Sequence, residues 1–274
     1  MSPKSTHASE INENKVLSPS VISRSIIDFQ DVEHFGTLVS DETWSSSDNV
    51  HIVACDVIVP TGITLNISAG AIVKFHNDRA IIIEGTLRII GSSIDPVRLT
   101  SFKDDMIGGD TNGDGGNSTP ARGDWTRIEF RDNSDDANSL IEYVELSYGG
   151  SDFGCCPSYR YGSISLYEAS PTIRNTTITE SQNYAIRTRN SSPALTCVDM
   201  TASNWGIYNE TPATVVNGIN LYWGSGSGPY HPTTNPSGGG VEVSDGVNYR
   251  PWLSRSCNAP TSTGYQLFLP ITRR

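Results

Sequence analysis

The sequence lacks any apolar run long enough to cross a membrane as a helix. Residues 1–14 are polar and carry no apolar core of the kind a secretory leader needs. Basic residues are scarce: 19 Lys and Arg stand against 30 Asp and Glu, a net charge of -11. That excludes a counterion-displacing nucleic-acid surface and disfavours adsorption to anionic membranes. Apolar residues make up only 36%, too few for a thick globular core. No segment holds an apolar stripe at helical period, and Asn-Gly hairpin signals between strands are few. The five cysteines include no CxxC pair, and His7, His34, His51, His76 and His231 show no metal-ligand spacing.

What the chain does have is a repeat. Ile164, Ile186 and Ile207 each open a short alternating stretch, at separations of 22 and 21 residues. Between them lie Ser170-Pro171-Thr172-Ile173-Arg174-Asn175 and Ser192-Pro193-Ala194-Leu195-Thr196-Cys197. A third copy reads Thr211-Pro212-Ala213-Thr214-Val215-Val216-Asn217. A period of about 20 with short β-branched strands predicts an all-β fold of coils stacked on copies of themselves. Such a stack needs few inward side chains per coil, which fits the low apolar content. Upstream, short strands from Ile52 onward are separated by Pro60-Thr61-Gly62, Ala69-Gly70 and Gly91-Ser92-Ser93.

The chain then divides into a polar lead with a possible cap (1–35), a coiled domain (36–253), and a linker with a tail (254–274). Two insertions interrupt the domain, a Gly/Asp-rich one at 102–124 and a Cys-bearing one at 149–161. Trp44 is expected to cover the first coil, and Trp223 with Trp252 the last. Cys197 falls at the repeat position of Asn175 and Asn217, so a buried thiol is expected there. Cys155 or Cys156 is then left to bridge to Cys257, or the two to each other.

Alternation assigns faces within the coils. Ile164, Leu166, Ile186, Ile207, Thr126, Ile128 and Phe130 should point inward. Trp125, Arg127, Glu129, Ser165, Tyr167, Arg187 and Tyr208 should then line an outer face. Stacked rings and guanidinium groups suit sugar faces and carboxylates, so Trp125, Arg127, Tyr167, Arg187 and Tyr208 are the candidate glycan-binding residues. The other motif is Asp110-Thr111-Asn112-Gly113-Asp114-Gly115, which fits D-x-N-x-D-G. Oxygen ligands on alternate residues of a tight loop can converge on Ca²⁺. Asp104, Asp105 and Asp124 would complete the shell, because Ala121 stands where an EF-hand carries its bidentate Glu. Such an ion would order the insertion rather than act in catalysis.

These coils resemble right-handed parallel β-helix proteins of the pectin-lyase-like superfamily, particularly secreted or surface bacterial members. The stretches 57–75, 109–125 and 223–253 carry the likeness, and Leu267-Phe268-Leu269-Pro270-Ile271-Thr272-Arg273-Arg274 is similar to a tail on exported proteins of Chloroflexi-type bacteria. The resemblance implies a single-stranded right-handed parallel β-helix (solenoid) and a secreted or cell-surface location. It is weak for activity, since one fold hosts many functions. A non-catalytic module for adhesion or polysaccharide binding is expected. The alternative is a lyase or glycoside hydrolase acting on acidic polysaccharide, drawing on Glu129, Glu145, Asp152 or Glu168 with Arg127 or Arg187. The family's polygalacturonase-like motifs are absent as a set.

Overall fold

The computed structural model describes residues 31–153 and 159–259. Among these there is no helix; the strands are short and almost all pair in parallel. The pairings form three ladders. In the first, His51, Val73, Leu99, Leu146, Ile178 and Met200 are successive neighbours. In the second, Val57, Ile81, Ile128, Ile164, Ile186 and Ile207 are. In the third, Trp44, Ile67, Ile89, Ile141, Ile173 and Leu195 are. The chain visits first, second and third ladders in that order on each pass.

Apart from His51 at the head of the first, each series is a column of inward apolar side chains, nearly all fully buried. Ile164, Leu166, Ile186 and Ile207 lie inside, as alternation requires. In-register stacking lets β-branched neighbours pack on like neighbours about 4.8 Å away, and every strand gives its backbone bonds to the strands of adjacent passes. The corner between third and first ladders takes a left-handed residue: Tyr143, Asn175, Cys197 and Asn220 have φ of 51°, 50°, 51° and 55°. Asn tolerates that conformation best, which explains its recurrence. Asp199 bridges to Tyr222, so the equivalent of Cys197 in the next pass is Asn220 rather than Asn217.

Cys197 is not a free thiol. It forms a disulfide with Cys257, and Asn258 donates to the Cys197 and Thr176 carbonyls. The corner residue faces outward, where the segment after Trp252 runs back along the ladder. That excludes a Cys257 bridge to Cys155 or Cys156, which themselves lie outside the described residues. Cys55 is free and exposed.

The ends are closed by aromatic rings. Trp44 is buried, with His34 stacked on it at 3.9 Å. Trp223 is buried beneath Tyr249, and Trp252 donates its Nε1 to the Gly226 carbonyl. Residues 26–30 and the tail, like the leader, fall outside the described residues; 32–37 is a strand.

Two long departures from the ladders matter for function. Residues 102–126 hold no strand, and the described residues of 148–161 hold only the antiparallel pair Asp152–Phe153 and Tyr159–Arg160. Both leave a first-ladder strand and return to a second-ladder strand, on consecutive passes. Both start from the same corner: the first folds over the outer side of the first ladder, where Lys74 holds it, while Tyr159 and Tyr161 of the second lie over the outer face of the second ladder.

Candidate functional site

The outer face of the second ladder carries the site. Glu129, Ser165, Arg187 and Tyr208 are in register across four strands. Ser165 is small and its hydroxyl turns back to the Gly162 carbonyl, which leaves a gap between Glu129 and Arg187. The returning hairpin fills it. Tyr161 lies with the Arg127 guanidinium 3.7 Å from its ring centre, and Tyr159 with that of Arg187 at 4.0 Å. The result is a groove of about 550 Å³ lined by Arg127, Glu129, Arg131 and Arg189, by Tyr159, Tyr161 and Tyr167, and by Asp132 and Glu168.

Most of its charges are already matched. Glu129 is buried and accepts from Arg127 Nε and, at 2.7 Å, from Arg131 Nε. Arg131 also reaches Glu84 at 2.7 Å. Burial works against the Arg131 charge, but the two glutamates outweigh it and raise its pKa. Arg187 is buried, donating to the Arg160 carbonyl at 2.7 Å, to Tyr167 at 3.3 Å and to Glu210 at 2.8 Å. Burial, then the hydrogen bond from Tyr159, raises the pKa of Tyr167, and burial raises that of Tyr161. Both phenols therefore stay protonated. Arg189 differs: its guanidinium sits 4.7 Å from the Tyr167 ring centre and makes no hydrogen bond or ion pair among the described residues. Asp132 and Glu168, both exposed, likewise make no side-chain hydrogen bond or ion pair among the described residues, so the groove leaves one guanidinium and two carboxylates for a ligand.

Of the expected glycan-binding residues, Arg127 and Tyr167 line the groove and Arg187 lies under it. Tyr208 stands one strand further on, stacked on Tyr184 at 4.5 Å. Trp125 is not on the outer face. It is fully buried, stacked on Phe75 at 4.1 Å, with its Nε1 donating to the Ser147 carbonyl at 2.8 Å. The strand begins at Arg127, so the alternation does not extend back to Trp125, which sits in the returning turn. Glu129 faces outward as expected but is covered by its arginines. Sequence reasoning missed Tyr159, Tyr161, Arg131 and Arg189. The Tyr159-Arg160-Tyr161 alternation just before the repeat was the available signal.

The insertion at 102–126 builds the second cluster. Carboxylate oxygens of Asp105, Asp110 and Asp114 lie within 4.8 Å of one another. One Asp105 oxygen, Oδ1, is buried with no hydrogen-bond partner. Asp110 accepts the Gly115 amide at 2.8 Å, and Asp114 accepts those of Gly116 and Asn117, also at 2.8 Å. Asn112 Oδ1 accepts the Asp114 amide and its Nδ2 faces Asp114. These bonds shape the loop while leaving carboxylate lone pairs to spare. Lys74, fully buried on the strand Ile72–Phe75, ties the loop down through the Gly109 carbonyl at 2.6 Å and Thr111 at 3.0 Å. Burial lowers the Lys74 pKa, while Asp104, Asp105, Asp31 and Asp110 oppose the shift.

Two expected metal ligands are occupied elsewhere. Asp104 is buried and accepts from Thr100 at 2.6 Å. Asp124 accepts from Ser101 at 2.6 Å and pairs with Lys103 at 2.8 Å. The remaining donors, three carboxylates and the Asn112 amide oxygen, fit a hard oxygen-seeking cation in part; carbonyls or water would supply the rest of a Ca²⁺ shell. Comparison with protein-family models, curated proteins and solved structures returned no match.

Proposed function

We propose that this chain is a right-handed parallel β-helix of the pectin-lyase-like kind, acting outside the cell or on its surface as a non-catalytic module that binds an acidic polysaccharide. The observation that carries the reading is Arg189. A guanidinium with no hydrogen bond or ion pair among the described residues, 4.7 Å from the Tyr167 ring centre in an open groove also lined by Tyr159 and Tyr161, offers what a sugar carboxylate and a sugar face need. Parallel strands set the outer residues at a fixed spacing, which suits an extended polymer. In this reading Asp105, Asp110 and Asp114, with Asn112, hold a Ca²⁺ that orders the insertion over the first ladder.

The enzymatic alternative has less behind it. An acid catalyst needs a carboxyl group with a proton to give, whereas Glu129 has an arginine on each oxygen. Glu145 pairs with Arg98, and Asp152 accepts from Asn183, both away from the groove lining, while Glu168 lines the groove as an exposed carboxylate. The test is binding to a glycan array and to insoluble polysaccharides, run beside assays for unsaturated product and for reducing ends. Retention on acidic polymers without turnover is expected. Binding to none overturns the reading, and turnover replaces it with the enzymatic one.

A further inference from the structure

We infer that Asn112 is a modification site, at which the side-chain amide closes on the amide nitrogen of Gly113 and the asparagine becomes an aspartate. The conversion does not depend on the Ca²⁺ reading above; only its consequence for Ca²⁺ does. The sequence holds two Asn-Gly pairs, Asn112-Gly113 and Asn217-Gly218. A following glycine has no side chain to keep its nitrogen away from the asparagine carbonyl carbon. The fold treats the two pairs in opposite ways. Gly218 is buried, and its amide donates to the Asn248 carbonyl at 2.8 Å, beside the parallel pairing of Asn217 with Asn248. Gly113 is exposed with φ of 68°, and a Cβ added there would meet nothing within 4 Å. Its amide donates no hydrogen bond among the described residues.

The Asn112 side chain is also prepared for the step. Its Oδ1, where negative charge develops as the nitrogen adds, accepts the Asp114 amide at 3.1 Å. Its Nδ2, the leaving group, donates to Ser118 Oγ at 2.9 Å and to Asp114 Oδ2 at 3.2 Å, and the Ser118 hydroxyl in turn donates to Asp114. A hydroxyl joined to a carboxylate at the departing nitrogen can relay the proton it takes up. At Asn217, by contrast, Oδ1 accepts only the Ile219 amide, at 3.5 Å, among the described residues. In the reaction the Gly113 nitrogen bonds to Asn112 Cγ and the Cγ–Nδ2 bond breaks. Nδ2 leaves as ammonia, taking the proton that the Gly113 nitrogen gives up. Solvent water then opens the cyclic imide. Cleavage at Cγ gives aspartate, and cleavage at the main-chain carbonyl gives isoaspartate. The aspartate adds a carboxylate to Asp105, Asp110 and Asp114, whose oxygens already lie within 4.8 Å of one another. Because the charge of the oxygen ligands tunes Ca²⁺ affinity, the loop gains affinity as it converts.

The experiment holds the full chain in near-neutral buffer, folded and in parallel unfolded in urea, and follows the peptides around Asn112 and Asn217 by mass spectrometry. Unfolded, the two sites should convert alike. Folded, Asn112 should keep at least its unfolded rate, while Asn217 falls at least about tenfold behind, because its ladder bond must open first. Ser118→Ala should slow Asn112 in the folded chain alone and leave Asn217 unchanged. A folded rate at Asn112 below the unfolded one, or an Asn217 that keeps pace with it, overturns the inference. For the consequence, Asn112→Asp matches the aspartate product and should bind Ca²⁺ about tenfold more tightly than the native chain in calorimetry. Equal or weaker binding by that variant overturns the gain in affinity. Absence of binding by both chains overturns the Ca²⁺ reading and leaves the conversion standing.

Discussion

The groove and the acidic loop lie over different ladders and are built in different ways. In the groove, Glu129 takes its two arginines from two residues on either side, but other partners come from far along the chain: Arg187 joins Glu210 and the Arg160 carbonyl, and Arg131 reaches Glu84. In the loop, Asp110 and Asp114 are satisfied by amides two to five residues away. A surface assembled from several strands is as rigid as the ladder beneath it. A surface assembled from one turn is only as rigid as that turn, unless something binds it. The groove should therefore be sensitive to loss of any one partner, and the loop to its ligand.

The comparison can be broken most easily at its base. Trp125 packs on Phe75 where the chain returns to the groove strand, so Trp125→Ala should cost about 3–5 kcal/mol in denaturant unfolding. A loss below about 1 kcal/mol would mean the groove does not depend on the core beneath it. Within the groove, Glu129→Ala leaves Arg127 and Arg131 facing each other, and should cost about 3 kcal/mol.

The first strands offer a pH version of the same long-range dependence. His34 Nε2 and His51 Nδ1 lie 3.0 Å apart, stacked with Trp44 and near Glu42 and Asp48. Burial, then repulsion from His51, lowers the His34 pKa from 6.5 to about 4, against a weaker pull from Asp48. Burial lowers that of His51 as well. Above pH 6.5 both folded and unfolded chains keep the His34 ring neutral. Below it the unfolded chain takes the proton first, so stability should fall as pH drops toward about 4, by about 2–3 kcal/mol. His34→Gln should flatten that slope in thermal melts across this range.

The loop should respond to ligand more than to mutation. Ca²⁺ at about a hundred times its dissociation constant should stabilise the chain by about 2–3 kcal/mol, reversed by chelator and abolished by Asp105→Asn. Without Ca²⁺, Asp114→Ala should cost under about 1 kcal/mol, because its bonds are local and solvent-facing. A larger cost without the ion would make the loop a second rigid element and erase the contrast.

The same contrast explains what could be read from the sequence. Stacked parallel strands were legible because each inward column repeats one residue type at one interval, as from Ile128 through Ile164 and Ile186 to Ile207. Asp110, Asn112 and Asp114 were legible because spacing alone brings them together. Arg127, Tyr167 and Arg187 followed from alternation inside a strand. Trp125 did not, since alternation fails one residue outside the strand. The hairpin tyrosines did not either, because where a loop folds over a sheet is set by the hole it fills, here above Ser165. The Cys197–Cys257 bridge depended on a chain reversal after Trp252 that no local pattern announces.

The most direct test of the central claim is the affinity of the native chain and of Arg189→Gln for a soluble acidic polysaccharide, measured by calorimetry at low salt. Arg189 supports nothing else through hydrogen bonds or ion pairs among the described residues, so the variant should keep its melting temperature and lose about tenfold in affinity. Unchanged affinity in a folded variant, or no binding by the native chain, would contradict the account.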